Sequence, residues 1–245
     1  MGESDGGGAK GVHGKITRVP TGIPELDGLI SGYPHNRTTL IMGGAGTGKT
    51  ILTMHFIKAA CERGERCFHI LTEEEKEDIF AQAWSFGWEF EKFEKDGLLS
   101  VVELLPDRAA GAKMPDGFQH LIERVRPPKG VNIILDNLSV FGPQNEPRRF
   151  RDQMDALVYK LKQHGSTTLL VYDEDVTEDL KNSVTHSAFG VVRLFRRNNP
   201  FTDSRERAIE IVKMRSTRVP SSYIFYELTD SGMKISDSGK SNSAK

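Results

Sequence analysis

Two cysteines in 245 residues, Cys61 and Cys67, leave no material for a disulfide framework. No set of His or Cys partners surrounds them in sequence, so a metal site built on them is not expected. A surplus of positive charge is missing as well. Lys and Arg number 33 against 34 Asp and Glu, a formal net charge of -1. That balance carries no overall signature of nucleic-acid binding. No apolar run reaches the roughly 18–20 residues needed to span a bilayer, so no membrane segment is expected. The chain has no internal repeat. Its N-terminus is Gly-rich and polar and lacks the pattern of a signal peptide. Reduced thiols and the absence of a leader pattern point to a cytoplasmic protein. Residues 1–14 and 236–245 are expected to be disordered tails on one domain spanning residues 15–235.

Against these absences stands one strong motif. Gly43-Gly44-Ala45-Gly46-Thr47-Gly48-Lys49-Thr50 fits G-x-x-x-x-G-K-[ST], the loop that grips nucleotide phosphates. The glycines permit a tight turn in which successive backbone N–H groups converge on phosphate oxygens. Lys49 would reach the β- and γ-phosphates, and the Thr50 hydroxyl would coordinate Mg²⁺. The flanks fit the motif. Thr38–Met42 reads as a short buried strand, and Thr50-Ile51-Leu52 opens an apolar helix whose N-terminus favours anions. The expected phosphate cradle is therefore Gly44, Ala45, Gly46, Thr47, Gly48, Lys49, Thr50 and Ile51.

The remaining pattern alternates strand with helix. Strands are expected at Thr38–Met42, Cys67–Leu71, Leu99–Glu103, Asn132–Leu135, Thr167–Val171, Val191–Phe195 and Arg207–Lys213. Helices are expected at Thr50–Arg63, Glu75–Phe86, Gly117–Val125 and Phe150–His164. The first four core strands are continuous apolar runs, which favours a parallel sheet covered on both faces. Beyond Val191 the strands follow one another through turns, with Ser222–Leu228 and Met233–Ile235 last. Hairpins on the edge of the parallel sheet account for that stretch. Asp107–Pro115, rich in Gly and Ala, reads as a mobile loop.

Two further elements suit a nucleotide site. Val131–Leu135 is an apolar strand ending in Asp136, the Walker B pattern of a carboxylate that holds Mg²⁺. Cys67–Leu71 ends in Thr72-Glu73-Glu74, and hydrolysis of a γ-phosphate needs a carboxylate to orient or deprotonate water. The same residues also resemble a helix start, with Thr72 as N-cap and Glu75 completing a capping box. Both readings are compatible if Glu73 faces the nucleotide while Glu74 and Glu75 serve the helix.

These elements, preceded by Thr21-Gly22-Ile23-Pro24-Glu25-Leu26-Asp27, resemble the KaiC family of RecA-type ATPases over about Thr17 to Ile235. Phe86-Gly87-Trp88 and Lys213-Met214-Arg215 are similar to two more of its segments. The resemblance implies an α/β, RecA-like P-loop fold: a mostly parallel central sheet flanked by helices, with antiparallel strands at the C-terminal edge. It implies ATP and Mg²⁺ as ligands, Glu73 as catalytic base supported by Glu74, and Thr50 and Asp136 at the metal. Lys213 and Arg215 would reach the γ-phosphate of a neighbouring subunit. The implied protein is a slow ATPase in a homo-oligomeric ring, expected to be hexameric, with nucleotide at subunit interfaces. It would act as a regulatory or signalling switch on an unidentified protein partner. There are departures. Asn137 stands where the family usually has Ser, Ser216 where it has Gly, and Phe189-Gly190 where it has Asp. One such domain replaces the clock protein's two, so clock function does not transfer. Thr185 and His186 match the family's autophosphorylation segment poorly, and no autophosphorylation is expected. The alternative is a RadA-type recombinase paralogue. It would bind nucleic acid through Pro106–Pro115 and Phe141–Arg151, the latter with Arg148, Arg149 and Arg151. The charge balance disfavours it. A nucleotide-binding scaffold that hydrolyses poorly is a third reading, motivated by Asn137 and Ser216.

Overall fold

The computed structural model describes residues 16–104, 118–141, 147–174, 178–199 and 204–236. The chain enters through β1 (Arg18–Val19), paired antiparallel with β2 (Tyr33–Pro34) around helix α1 (Pro24–Ile30). Then follow β3 (Thr38–Gly43), α2 (Lys49–Glu62), β4 (Cys67–Leu71), α3 (Lys76–Ser85), α4 (Phe90–Lys95) and β5 (Leu99–Glu103). A 3-10 turn at Phe118–His120 leads into α5 (Leu121–Val125), β6 (Asn132–Asp136) and α6 (Pro147–His164). Last come β7 (Thr168–Asp173), α7 (Glu178–Ser187), β8 (Gly190–Asn198), β9 (Arg205–Met214), β10 (Ile224–Thr229) and β11 (Gly232–Ile235).

Among the described residues nine strands form one sheet, ordered β11-β10-β9-β8-β3-β7-β6-β4-β5. From β8 to β5 every pairing is parallel; β8, β9, β10 and β11 pair antiparallel. This is the expected parallel sheet with hairpins at its C-terminal edge. Strands β3, β4 and β6 are buried at every position because both faces are covered. Alternation then sorts side chains between two cores. Ile41 packs with Leu52 and Phe56 of α2, whereas Leu40 and Met42 pack with Phe150 and Met154 of α6. On α6 the buried Phe150, Met154, Leu157 and Leu161 recur at helical spacing, and Tyr159 stays exposed. Each fully buried Leu or Phe is worth about 1.5–3 kcal/mol relative to exposure. The sheet is thus a rigid frame whose strand ends fix the site.

The expected and observed elements differ where tertiary contacts take over. The bounds of β4 and β5 agree. Strand β7 runs on to Asp173, past the expected end at Val171. Helices α1, α4 and α7 were not anticipated: the first is short, the second reads Phe-Glu-Lys-Phe-Glu-Lys, and the third is polar. The capping box at Thr72 and Glu75 does not form. Thr72 instead exchanges hydrogen bonds with the backbone of Asn137, at 2.6 and 2.8 Å. Helix α3 starts at Lys76, whose N–H donates to the Glu103 carboxylate. The motif around Thr21 proves structural. The Thr21 N–H donates to Asp27 Oδ1 at 2.8 Å, and Pro24 opens α1. Gly22 sits at φ +91, where a Cβ would lie 2.2 Å from the His55 carbonyl, so only glycine lets this segment close on α2. No described helix is long and apolar enough to cross a membrane. Residues 1–14 and 237–245, the loop Asp107–Pro115 and residues 142–146 lie outside the described residues, while Ser236, expected to open the C-terminal tail, still donates its N–H to the Phe225 carbonyl at 2.8 Å.

Candidate nucleotide site

The loop between β3 and α2 is built for an anion. Gly48 caps α2 at φ +91, a left-handed turn that an L side chain resists. The first N–H groups of α2, including those of Thr50 and Ile51, have no acceptor in their own helix and point toward the loop. Ile51 offers only that backbone group, because its side chain is buried in the core. Gly44, Ala45 and Gly46 form the open rim, while Thr47 is buried. The loop is tied down from inside and outside. Thr47 Oγ1 and Lys49 Nζ donate to the Gly44 carbonyl at 2.9 and 3.1 Å. From the antiparallel edge, the Tyr226 hydroxyl donates to the Thr47 carbonyl, and Arg196 donates to that of Gly46 at 2.6 Å. Tyr226 and Arg196 were invisible as loop supports in the sequence, since each comes from a strand far along the chain.

Four carboxylates, Asp136, Glu73, Glu74 and Asp173, gather beside this loop at the ends of neighbouring strands. Asp136, at the end of β6, is buried, and its Oδ2 has no hydrogen-bond partner. Burial pushes its carboxyl up to about 7; the Thr50 hydroxyl and Lys49 oppose that by favouring the carboxylate, while Glu74 and Glu73 add to it. An orphaned carboxylate oxygen beside a hydroxyl fits a hard divalent cation such as Mg²⁺, which takes one or two carboxylates and completes its shell with phosphate and water. Glu73 follows β4, and β4 pairs with β6 so that Leu71 lies opposite Asp136. Burial raises the Glu74 carboxyl, as do Asp78 and Glu73, with Lys49 opposing.

The fourth carboxylate is Asp173, which sequence reasoning did not select. Its Oδ1 pairs with Lys49 Nζ at 2.8 Å. Its Oδ2 accepts from Asn137 Nδ2 at 2.5 Å, and the same nitrogen donates to Glu73 Oε2 at 3.0 Å. Asn137 Oδ1 accepts the Ser139 N–H at 2.8 Å, and Ser139 Oγ accepts the Asp173 N–H at 2.6 Å. The Asp136–Asn137 peptide is cis. The signal for Asp173 was present: an apolar run ending in an acid, the pattern that identified Asp136.

Lys213 and Arg215 lie elsewhere. Strand β9 runs antiparallel to β8, and the Arg215 N–H donates to the Phe189 carbonyl at 3.2 Å. Phe189 N–H in turn donates to Thr38 at the start of β3. Five residues of β3 at about 3.3 Å each put Arg215 roughly 16 Å from Gly43, at the opposite end of the strand. Lys213 Nζ donates to the carbonyls of Thr185 and His186 at the C-terminus of α7, and burial lowers its pKa. The Arg215 guanidinium lies over the Phe189 ring, 5.8 Å from its centre. Arg148 and Arg149 are exposed at the start of α6, and Arg151 contacts His186 Nδ1 at 3.2 Å.

The sheet order and the loop define a RecA-like P-loop domain. A family model described as "ATPase: KaiC" matches residues 19–240. The chain is 29% identical to the circadian clock oscillator protein KaiC of Synechococcus elongatus over 238 residues, covering 91% of this chain and 45% of that protein. It therefore spans about half the length of the clock relatives it matches. An uncharacterised-family protein of Thermotoga maritima is also 29% identical, with 90% of this chain and 96% of that one covered. Among solved structures, a KaiC-like protein of Pyrococcus horikoshii superposes with a TM-score of 0.74 at 27% identity, covering 91% of this chain and all of that one. The chain belongs to the KaiC family of ATPases.

Proposed function

We propose that this protein is a Mg²⁺-dependent ATPase that hydrolyses ATP slowly at the interfaces of a homo-oligomeric ring, expected to be a hexamer, and serves as a regulatory or signalling switch. The observation that carries this reading is the separation of the two halves of the site along one sheet. The loop, Asp136 and Glu73 gather at one end, and Lys213 and Arg215 stand at the other. Arg215 stands about 16 Å from its own loop, beyond the reach of its side chain, which supports a role on a neighbour's phosphate instead. Within one subunit, Gly44 to Ile51 would cradle the phosphates, with Lys49 leaving Asp173 for phosphate oxygens. Thr50 and Asp136 would hold Mg²⁺, which when bound neutralises charge on the β- and γ-phosphates. Glu73 would orient the attacking water and take its proton, with Glu74 supporting it. Lys213 and Arg215 would neutralise the transferring phosphoryl group from across the interface. A regulatory protein would be the partner that reads the ring's nucleotide state.

Native mass and phosphate release measured together test this reading. With Mg²⁺ and ATP the expected species has a hexamer's mass and releases phosphate; without nucleotide it falls to smaller species. A monomer that hydrolyses ATP at the same rate at all protein concentrations would refute it. The alternative, a recombinase paralogue, draws on the exposed Arg148 and Arg149. Salt-sensitive, submicromolar binding of single-stranded oligonucleotides would favour that alternative.

A further inference from the structure

Asn137 is buried, at 3% exposure, and both ends of its amide are engaged. Its Oδ1 accepts the Ser139 N–H, which fixes the side chain so that Nδ2 faces two carboxylates. Two N–H donors then meet two acceptors, Glu73 Oε2 at 3.0 Å and Asp173 Oδ2 at 2.5 Å. The backbone of Asn137 is locked in turn by the reciprocal hydrogen bonds with Thr72, one residue before Glu73. The amide is thus anchored to the strand that carries the carboxylate it holds. A glutamate has three rotatable side-chain bonds, and Glu73 is exposed, so without a tether its carboxylate samples many positions. Bound through one oxygen, it keeps the other for water.

We infer that Asn137 is the positioning residue of Glu73: its amide holds Oε2 and leaves Oε1 aimed for the attacking water. The same amide connects Glu73 through Asp173 to Lys49, which pairs with Asp173 at 2.8 Å. Phosphate that draws Lys49 away leaves Asp173 with the Asn137 donor, and the Glu73 tether stays intact. The hydrogen bonds of Asn137 run to Thr72, Glu73, Asp173 and Ser139, and none of these belongs to the loop. Its removal therefore acts on the rate of hydrolysis and spares ATP binding. This inference rests on Glu73 being the base.

Phosphate release by full-length Asn137→Ala, Glu73→Gln and the double variant tests it, with ATP affinity measured in parallel. Asn137→Ala should lower kcat about tenfold to a hundredfold, part of the ~10²–10⁴ that a general base contributes, with KM and ATP affinity unchanged. In the Glu73→Gln background the Ala substitution should cost nothing further, because a residue acting only through Glu73 has nothing left to position. Asn137→Leu, close to isosteric but without donors, should repeat the loss and guards against collapse of the Ala variant, with thermal melting as the check on folding. Unchanged kcat in folded Asn137→Ala, or an equal loss with and without Glu73, overturns the inference while leaving Glu73 as base. If Glu73→Gln hydrolyses like wild type, the base assignment itself is wrong and the inference falls with it.

Discussion

The two ends of the central sheet are furnished differently. At the loop end, most polar groups find partners within the subunit: Lys49 has Asp173, the Asn137 amide has two carboxylates, and Arg196 and Tyr226 secure the loop carbonyls. At the other end, Lys213 and Arg215 lean on backbone carbonyls and a ring face. Coulomb attraction to a full negative charge far exceeds that to a carbonyl dipole, so these cations are available to a phosphate brought by another molecule. On the proposed reading, one end would bind the phosphates and the other would supply cations to a neighbour, so that activity would require assembly.

The largest effect should come from separating the two ends. A cation supplied in trans to a transferring phosphoryl group is worth ~10³-fold or more in rate. Arg215→Ala should slow phosphate release on that scale and weaken ATP-dependent assembly, with the fold intact. Lys49→Ala should lose ATP binding by an order of magnitude or more, since charge-assisted contacts to phosphate are the strong ones. Mixing the two variants should return partial activity, because some interfaces then pair an intact loop with an intact Arg215. Mixed rings, seen by mass, that stay inactive would show that both ends act on the same nucleotide.

Within the loop end, Glu73→Gln keeps shape and hydrogen bonding but removes the carboxylate proposed as the base. Phosphate release should fall ~10²–10⁴-fold while ATP still binds and holds the ring together longer. A variant as fast as wild type would move the search to Glu74, whose carboxyl is raised by burial and by the neighbouring Asp78 and Glu73.

The loop end was largely legible in the sequence, because local pattern builds most of it. The glycine run, the apolar strand before it and the strands ending in Asp136 and Glu73 are contiguous words. What escaped is what only the sheet brings together. Asp173 lies two residues past the expected end of β7, and its link to Lys49 spans β3 and β7. Asn137 read as a departure from pattern, yet it joins two carboxylates from different strands. Thr72 was read as a helix cap by local rules, and a contact 65 residues away claimed it. Helix α7 is polar, with the C-terminal carbonyls of Thr185 and His186 held by Lys213, a partner its own sequence does not contain.

A smaller effect would show how rigid the frame beneath both ends is. His69, on β4, is fully buried with neither ring nitrogen bonded, and burial pushes it down to about 3. His55 is pushed down to about 4 by burial; its Nε2 accepts the Met233 N–H at 2.8 Å. In the unfolded chain both take up protons near the ordinary value of 6.5. The unfolded state therefore binds more protons below that value, and stability present above it is lost as pH falls toward the folded values. From pH 7 to pH 5 each imidazole should cost about 2 kcal/mol. Urea denaturation at both pH values should show His69→Leu losing about 2 kcal/mol less than wild type. Equal losses would mean that His69 is protonated in the folded protein.

The smallest effect belongs to the cationic end alone. Ser216 follows Arg215 at φ 57, in the left-handed region, where a Cβ crowds the following carbonyl. The turn is held nonetheless: Arg18 donates to the Ser216 carbonyl at 3.0 Å, and the Thr217 N–H donates to Met214 at 3.2 Å. Two terms oppose each other in Ser216→Gly. Relief of the left-handed strain favours the folded state by roughly 1–2 kcal/mol. The freer unfolded glycine takes back about 0.4–1 kcal/mol. A net gain between about 0 and 1.6 kcal/mol should remain, read as a small rise in the urea midpoint at unchanged slope. Phosphate release should drop at the same time, because a looser turn holds Arg215 less firmly for its neighbour. A gain in stability with no change in rate would show that Arg215 is positioned by Phe189 and β9, and that the turn beyond it only closes the strand.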